Sequence, residues 1–186
     1  YFDEEIVLNL RLNILDEYID YFVIIESKFN HKGEKRDLMF NKEKFKKFKD
    51  KIIYLIHNEI PPKVEKVNTN DDEKTKDTKY IMNALYRENG QRNHIVNGLS
   101  NANEDDMIII SDVDEIPKLD NIDFNRINNK IILFRQDMFY YRFNLHLPNF
   151  KWTGPKACRK KNLTSPQWLR NVKERKYPFF RIDTFF

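Results

Sequence analysis

Glycine is scarce in this chain, four residues among 186, and loops that cradle phosphate through close backbone approach need several. Neither GxGxxG nor GxxxxGKS/T occurs, so the familiar glycine-rich nucleotide loops are excluded. Cysteine is nearly absent: the lone Cys158 cannot form an internal disulfide, and a cysteine-based zinc site lacks its ligands. Any metal is therefore expected to have oxygen ligands, which points to magnesium or manganese. Long hydrophobic runs are missing too. Tyr21 to Ile25 and Met107 to Ile110 are far too short to span a bilayer, and no basic-then-apolar leader opens the sequence. A soluble piece with no membrane span is expected. The apolar finish Thr184-Phe185-Phe186 is what a trimmed chain would show.

Hydrophobic residues make up 40% of the chain and charged residues 33%. With plentiful Phe and Tyr, this composition argues for a packed core despite a mean hydropathy of −0.74. The length fits one domain, residues 1–186. Thirty-three basic residues against 29 acidic give a net charge of +4, mostly interspersed, so nucleic-acid binding is not demanded. Basic clusters occur at Lys42 to Lys51 and Arg159 to Lys161. The first reads as the surface of a helix, and the second has the charge to attract phosphate.

Apolar spacing predicts a helix over Glu4 to Tyr18 and a strand buried on both faces over Tyr21 to Ile25. A short amphipathic helix carrying Phe45 and Phe48 leads to a second buried strand at Ile52 to Ile56. Residues Pro61 to Thr78 read as an exposed loop, Lys79 to Leu99 as a helix with a polar middle, and Met107 to Ile110 as a third buried strand. Further strands are expected at Ile131 to Phe134, Met138 to Phe143 and Phe179 to Ile182. A turn is expected at Trp152 to Pro155 and a helix at Pro166 to Lys176. No internal repeat or linker divides the chain. The alternation predicts a three-layer α/β/α domain with a mainly parallel central sheet.

The third strand runs directly into Ser111-Asp112-Val113-Asp114-Glu115-Ile116-Pro117. Open α/β sheets bind ligands at the carboxyl ends of their strands. Asp112 and Asp114, one residue apart on an extended turn, can offer one or two hard oxygen ligands to a divalent cation that also grips phosphate oxygens. Such a cation neutralises charge on a diphosphate leaving group. A lone Asp-x-Asp tripeptide is weak, because paired loop acids commonly cap helices or face water. Context strengthens it here: four apolar β-formers precede it, Pro117 closes the turn, and three acids fall within four residues.

Two rivals follow from the same residues. A haloacid-dehalogenase-like phosphatase also ends an apolar strand in Asp-x-Asp, using the first Asp as nucleophile. That motif opens its domain, whereas more than half of this chain precedes Asp112. A non-catalytic carbohydrate- or phosphate-binding module is the other rival, although both acids are intact. A calcium EF-hand lacks its required glycine and terminal Glu at the right spacing.

The segment Ile109-Ile110-Ser111-Asp112-Val113-Asp114-Glu115-Ile116-Pro117 resembles the signature of glycosyltransferase family 17. Leu10-Arg11-Leu12, Asp20-Tyr21-Phe22-Val23-Ile24-Ile25-Glu26-Ser27 and Arg87-Glu88-Asn89-Gly90-Gln91-Arg92-Asn93 agree with it, and the likeness thins beyond Tyr141. The resemblance implies a GT-A type fold, a divalent cation, usually Mn2+ or else Mg2+, bound at the DXD motif, and a UDP-sugar donor, usually UDP-GlcNAc. It also implies a glycan or related acceptor and inversion at the anomeric carbon. By position, Asp114 would ligate the metal directly, and Asp112 would hold it through water or contact the ribose. Glu26 and Ser27 would lie near the nucleotide, and Glu115 would orient either partner. Arg87 or Arg92 would pair with diphosphate, and Gln91 or Asn93 with sugar hydroxyls. The bland alternative for that helix is a set of i, i+4 surface pairs, Arg87 with Gln91 and Glu88 with Arg92.

Inversion needs a general base, commonly a carboxylate. Asp137 is the first candidate, with Asp183 and Glu174 behind it, and each has a surface ion pair as its alternative. Trp152, Trp168 and the Tyr140-Tyr141 pair suit either sugar stacking or core. His146 and His94 read as hydrogen-bonded scaffold more readily than as metal ligands. Asn162-Leu163-Thr164 matches a glycosylation sequon. Cytoplasm is the expected compartment for a microbial or viral enzyme, and a Golgi-type lumen for a trimmed luminal one.

Overall fold

The computed structural model describes residues 1–142 and 144–174. The described chain is mixed α/β and divides into two compact units. One comprises residues 1–9 and 19–100, the other residues 10–18 and the described residues from 101 to 174.

Helix α1 (Glu5–Leu15) opens the chain. Its buried residues Leu8, Leu12 and Leu15 recur at helical spacing and form one stripe. In the first unit, β1 (Phe22–Ser27) and β2 (Ile52–His57) pair in parallel, Phe22 opposite Ile52 through Ser27 opposite His57. Between them, the segment Lys42–Phe48 is a 3-10 helix rather than an α-helical turn. The segment is kinked at Phe45, whose backbone is non-helical (φ −116°, ψ 29°), and both Phe45 and Phe48 are buried.

Helix α2 (Glu73–Asn93) starts six residues before the expected Lys79. Asp72 caps it, accepting a hydrogen bond from the Thr75 N–H at 2.8 Å, a signal carried by a polar residue and invisible to apolar periodicity. The helix ends at Asn93, and His94–Gly98 continues as 3-10. Gly98 meets the strand pair so closely that a Cβ there would lie 2.6 Å from Val23 Cγ1.

In the second unit, β3 (Met107–Ile110), β4 (Ile132–Leu133) and β7 (Lys156–Arg159) form a sheet ordered β3-β7-β4, antiparallel throughout. A separate antiparallel pair joins β5 (Gln136–Phe139) to β6 (His146–Trp152). Helix α3 (Pro166–Asn171), capped by the Ser165 hydroxyl accepting from the Trp168 N–H, packs on β7 and β3. Val172 is already extended, so the helix stops short of the expected Lys176.

The expected mainly parallel sheet is therefore corrected. Among the described residues one strand pair is parallel and three pairings are antiparallel. The apolar run Met107 to Ile110 signalled burial, and Ile108 and Ile110 are buried, but β3 lies at the edge of its sheet and burial alone does not tell an antiparallel strand from a parallel one. Its partner, Lys-Ala-Cys-Arg, has no β-branched or aromatic residue to mark it as a strand, yet Ala157 and Cys158 are fully buried. Burial raises the Cys158 thiol to about 11, leaving it an unreactive thiol at neutral pH. The strand expected at Phe179 to Ile182 lies outside the described residues.

Candidate active site

The acidic segment leaves β3 and is fastened from three sides within the second unit. Arg11, on α1, donates from Nη1 to the carbonyls of Asp112 (3.1 Å) and Glu115 (2.8 Å), and from Nη2 to Ser111 Oγ (2.6 Å). Burial lowers this guanidinium to about 10, partly offset by Glu115, Asp112 and Asp114, so it stays charged at neutral pH. Arginine carries five donors in a rigid fork, which suits it to holding several backbone carbonyls at once.

Glu115 turns inward and is buried. Its Oε2 accepts the Asp112 N–H at 2.9 Å, and its Oε1 accepts Trp152 Nε1 at 2.6 Å and Arg170 Nη2 at 2.7 Å. This carboxylate is occupied on both oxygens, so it holds the loop in shape. Gly154 is required beside it, because a Cβ there would fall 2.3 Å from Glu115 Oε1. Gln136 Nε2 adds a hydrogen bond to the Ile116 carbonyl at 2.7 Å.

What this scaffold presents is the pair Asp112 and Asp114. The Asp112 side chain is 44% exposed and accepts Arg170 Nη2 on Oδ2 at 2.7 Å. Asp114 is exposed. No group of three or more His, Cys, Asp or Glu side chains that could enclose a metal occurs among the described residues. Two exposed carboxylates nonetheless fit a magnesium- or manganese-type ion, since such ions commonly take one or two protein carboxylates and fill the rest with phosphate oxygens and water.

Asp137 stands elsewhere on this unit. Strand alternation sends neighbouring side chains to opposite faces. The cross-strand partners Gln136 and Trp152 both reach the acidic loop, so Asp137 and its partner Lys151 face away. Asp137 pairs with Lys151 and lies 3.5 Å from His146 Nε2. The hydrogen bond from Lys151 lowers its pKa, which weakens it as a base. Its surroundings are those of a surface ion pair. Glu174 likewise pairs with Arg135, and Asp183 lies outside the described residues. Arg159, Lys160 and Lys161 are engaged by the backbone or acids of residues 102–106 and 124, so the second basic cluster is a fastening.

In the first unit, Glu26 is fully buried. It accepts the N–H groups of Met39 (2.7 Å) and Phe40 (3.0 Å), the Tyr54 hydroxyl (2.8 Å) and the Arg36 guanidinium. Burial acts to raise its pKa, but the bonds from Met39, Tyr54, Phe40 and Arg36 outweigh that and lower it. With both oxygens filled and walled in by Phe40 stacked on Phe45 and Tyr54, Glu26 has no open side for a nucleotide. Ser27 is buried and accepts the Phe29 N–H at 3.1 Å.

On α2, Arg92 pairs with Glu88 at 2.8 Å as helix spacing suggests, while Arg87 reaches the His31 carbonyl at 2.8 Å instead of Gln91. Gln91 Nε2 lies 3.4 Å from the Ile25 carbonyl, and Asn93 ends the helix. His94 meets the ring of buried His57 edge-on and contacts Asn97. Burial, then His94, lowers the His57 pKa.

Sequence gives no site role to Arg11, met only within Leu10-Arg11-Leu12, to Gly154, met only within the turn at Trp152 to Pro155, or to Arg170. Arg11 had a readable signal, an arginine inside the apolar stripe of α1, where an unpaired charge is not tolerated. Arg170 and Gly154 had none, because their role exists only once β7 and α3 are in place.

The family model for glycosyltransferase family 17 matches residues 1–169. The chain belongs to glycosyltransferase family 17. It is similar to proteins of Homo sapiens, Rattus norvegicus and Mus musculus, each named β-1,4-mannosyl-glycoprotein 4-β-N-acetylglucosaminyltransferase. Identity is 24% over 189 aligned positions, covering 96% of this chain and 32% of each relative. The chain thus spans about a third of the length of these relatives. No solved structure matches it significantly.

Proposed function

We propose that this chain is the catalytic domain of a metal-dependent, inverting glycosyltransferase that moves N-acetylglucosamine from UDP-GlcNAc to a glycan acceptor. The observation that carries this reading is the Asp112 to Glu115 loop, in which one buried glutamate and two arginines hold a rigid turn that leaves two aspartates facing water. Rigid support beneath half-exposed acids is what a metal site needs. The names of the relatives support the choice of sugar, and the family match, which runs through both compact units, supports reading them as one catalytic domain. We take the mixed α/β fold as a form of the GT-A arrangement, supported by the acidic motif that directly follows a buried strand.

In this reading Asp114 holds the divalent cation directly and Asp112 assists or contacts the ribose. A bound cation supplies charge neutralisation at the diphosphate leaving group. Glu115, Arg11 and Trp152 are positioning residues that hold the acids where they stand. UDP-GlcNAc titrated calorimetrically with and without Mn2+ tests the proposal. The expected result is binding that needs the metal and is lost in Asp114→Ala, with transfer falling at least about 100-fold. Absence of nucleotide binding under any metal would move the chain to the binding-module reading.

A further inference from the structure

The Asp112 carboxylate already has a cation on it. Arg170 Nη2 lies 2.7 Å from both Asp112 Oδ2 and Glu115 Oε1, and Nη1 donates to the Gly154 carbonyl. The guanidinium side chain is 12% exposed against 44% for Asp112, so the acid is held by a largely buried arginine while its own side chain stays partly exposed to solvent. The three attachments differ in kind. Those to Glu115 and Gly154 anchor Arg170 to buried or backbone acceptors. The one to Asp112 goes to a side chain that can also turn to water. One Nη2 hydrogen serves each carboxylate, so Arg170 can release Asp112 while staying fixed to Glu115 and Gly154.

We propose that Arg170 is a built-in counter-cation that holds Asp112 until a divalent cation takes it, so that metal affinity is set by competition with this guanidinium. The inference rests on Asp112 and Asp114 being the metal-holding pair. Its physical basis is that a carboxylate oxygen engaged by a guanidinium is a poorer metal donor. A divalent ion a few ångström from an arginine is also repelled by it, and at equal distance that repulsion is twice the attraction of the arginine for a singly charged acid. While no metal is bound, the same arginine offsets the mutual repulsion of Asp112, Asp114 and Glu115, which keeps the loop in its competent shape.

The test is calorimetric titration of Mn2+ alone, with no nucleotide, into the unaltered chain and into Arg170→Gln. The expected result is that Arg170→Gln, with its melting temperature checked, binds Mn2+ about tenfold more tightly. A fastener with no competing role would give the opposite sign, so equal or weaker binding by a folded Arg170→Gln overturns the inference. Should Arg170→Gln fail to fold, the unaltered chain carries the test through the Nε–H resonance of Arg170 under Mg2+, a diamagnetic probe. That resonance is expected to shift on saturation with Mg2+ and to stay put in Asp112→Asn. An unmoved resonance at saturating Mg2+ overturns the competition. If the unaltered chain binds neither ion, the metal reading itself fails and this inference with it, whereas normal metal binding without tightening sinks the inference alone.

Discussion

Glu26 and Glu115 are the same residue type in the same kind of place, a buried glutamate at or just beyond the end of a buried strand. Each draws an arginine, an N–H and an aromatic side-chain donor onto its two oxygens. Their neighbourhoods then diverge. Around Glu26 the chain folds over completely, and the carboxylate becomes an internal rivet for residues 36–40. Around Glu115 the enclosure stops short, and the residues one and three positions earlier, Asp114 and Asp112, remain open to solvent. Carboxylates of one intrinsic chemistry are thereby sorted into fasteners and candidate ligands by how far the surrounding chain closes.

The comparison is broken most severely at Glu26. Glu26→Leu leaves the Arg36 guanidinium buried without its counter-charge, and breaking one side of a buried pair costs about 3–5 kcal/mol. Urea unfolding should register this loss. Removal of Glu115 should cost less stability, because Arg170 keeps Asp112. Glu115→Gln should instead weaken Mn2+ binding about 10–100-fold, readable by titration. Equal stability losses with unchanged metal binding would erase the distinction between the two centres.

Acid sharpens the same contrast. The Glu26 pKa is lowered from its ordinary 4.5, so the unfolded chain binds a proton more readily than the folded one. Its contribution is fully present above about pH 4.5 and is lost as pH falls through the lower folded value. Stability measured against pH should therefore drop on the acid side, and Glu26→Gln should flatten that part of the profile.

A smaller effect is expected at Gly154. Gly154→Ala drives a methyl group into Glu115 Oε1 and Trp152 Nε1, an overpacking that costs about 1–3 kcal/mol and should loosen metal binding along with it. Smallest is Asp137→Asn. Removal of a general base would lower kcat by about 10²–10⁴-fold, whereas loss of the Lys151 ion pair should change it by less than about threefold. A large fall in kcat would return Asp137 to the base role first expected of it.

Much of the fold was legible where a local pattern had a single meaning. Phe22 to Ile25, Ile52 to Ile56 and Met107 to Ile110 declared themselves as strands through apolar, β-branched runs, and Phe45 with Phe48 marked a short amphipathic helix whose two rings are buried. Legibility failed where the decisive partner was distant or chemically quiet. Lys156 to Arg159 pairs with β3 without any strand-forming side chain, and His146 to Trp152 is a strand exposed along its whole length, so neither carries the burial pattern that periodicity detects. At the candidate site, the tripeptide Asp112-Val113-Asp114 stood out because paired acids after an apolar strand are chemically conspicuous. The roles of Arg170 and Gly154 were silent, since an arginine on a short helix and a glycine in a turn have many ordinary uses.

Local sequence alone thus marked the strands at Phe22 to Ile25, Ile52 to Ile56 and Met107 to Ile110, where the acids cluster and which phosphate-binding loops are impossible, because these depend on side chains adjacent in the chain. Strand direction, the closure of Glu26 against the openness of Asp112, and the arginines that hold the acidic loop came only with tertiary structure. They depend on contacts between residues as much as 104 positions apart, and no local pattern encodes which distant arginine will arrive beside which acid.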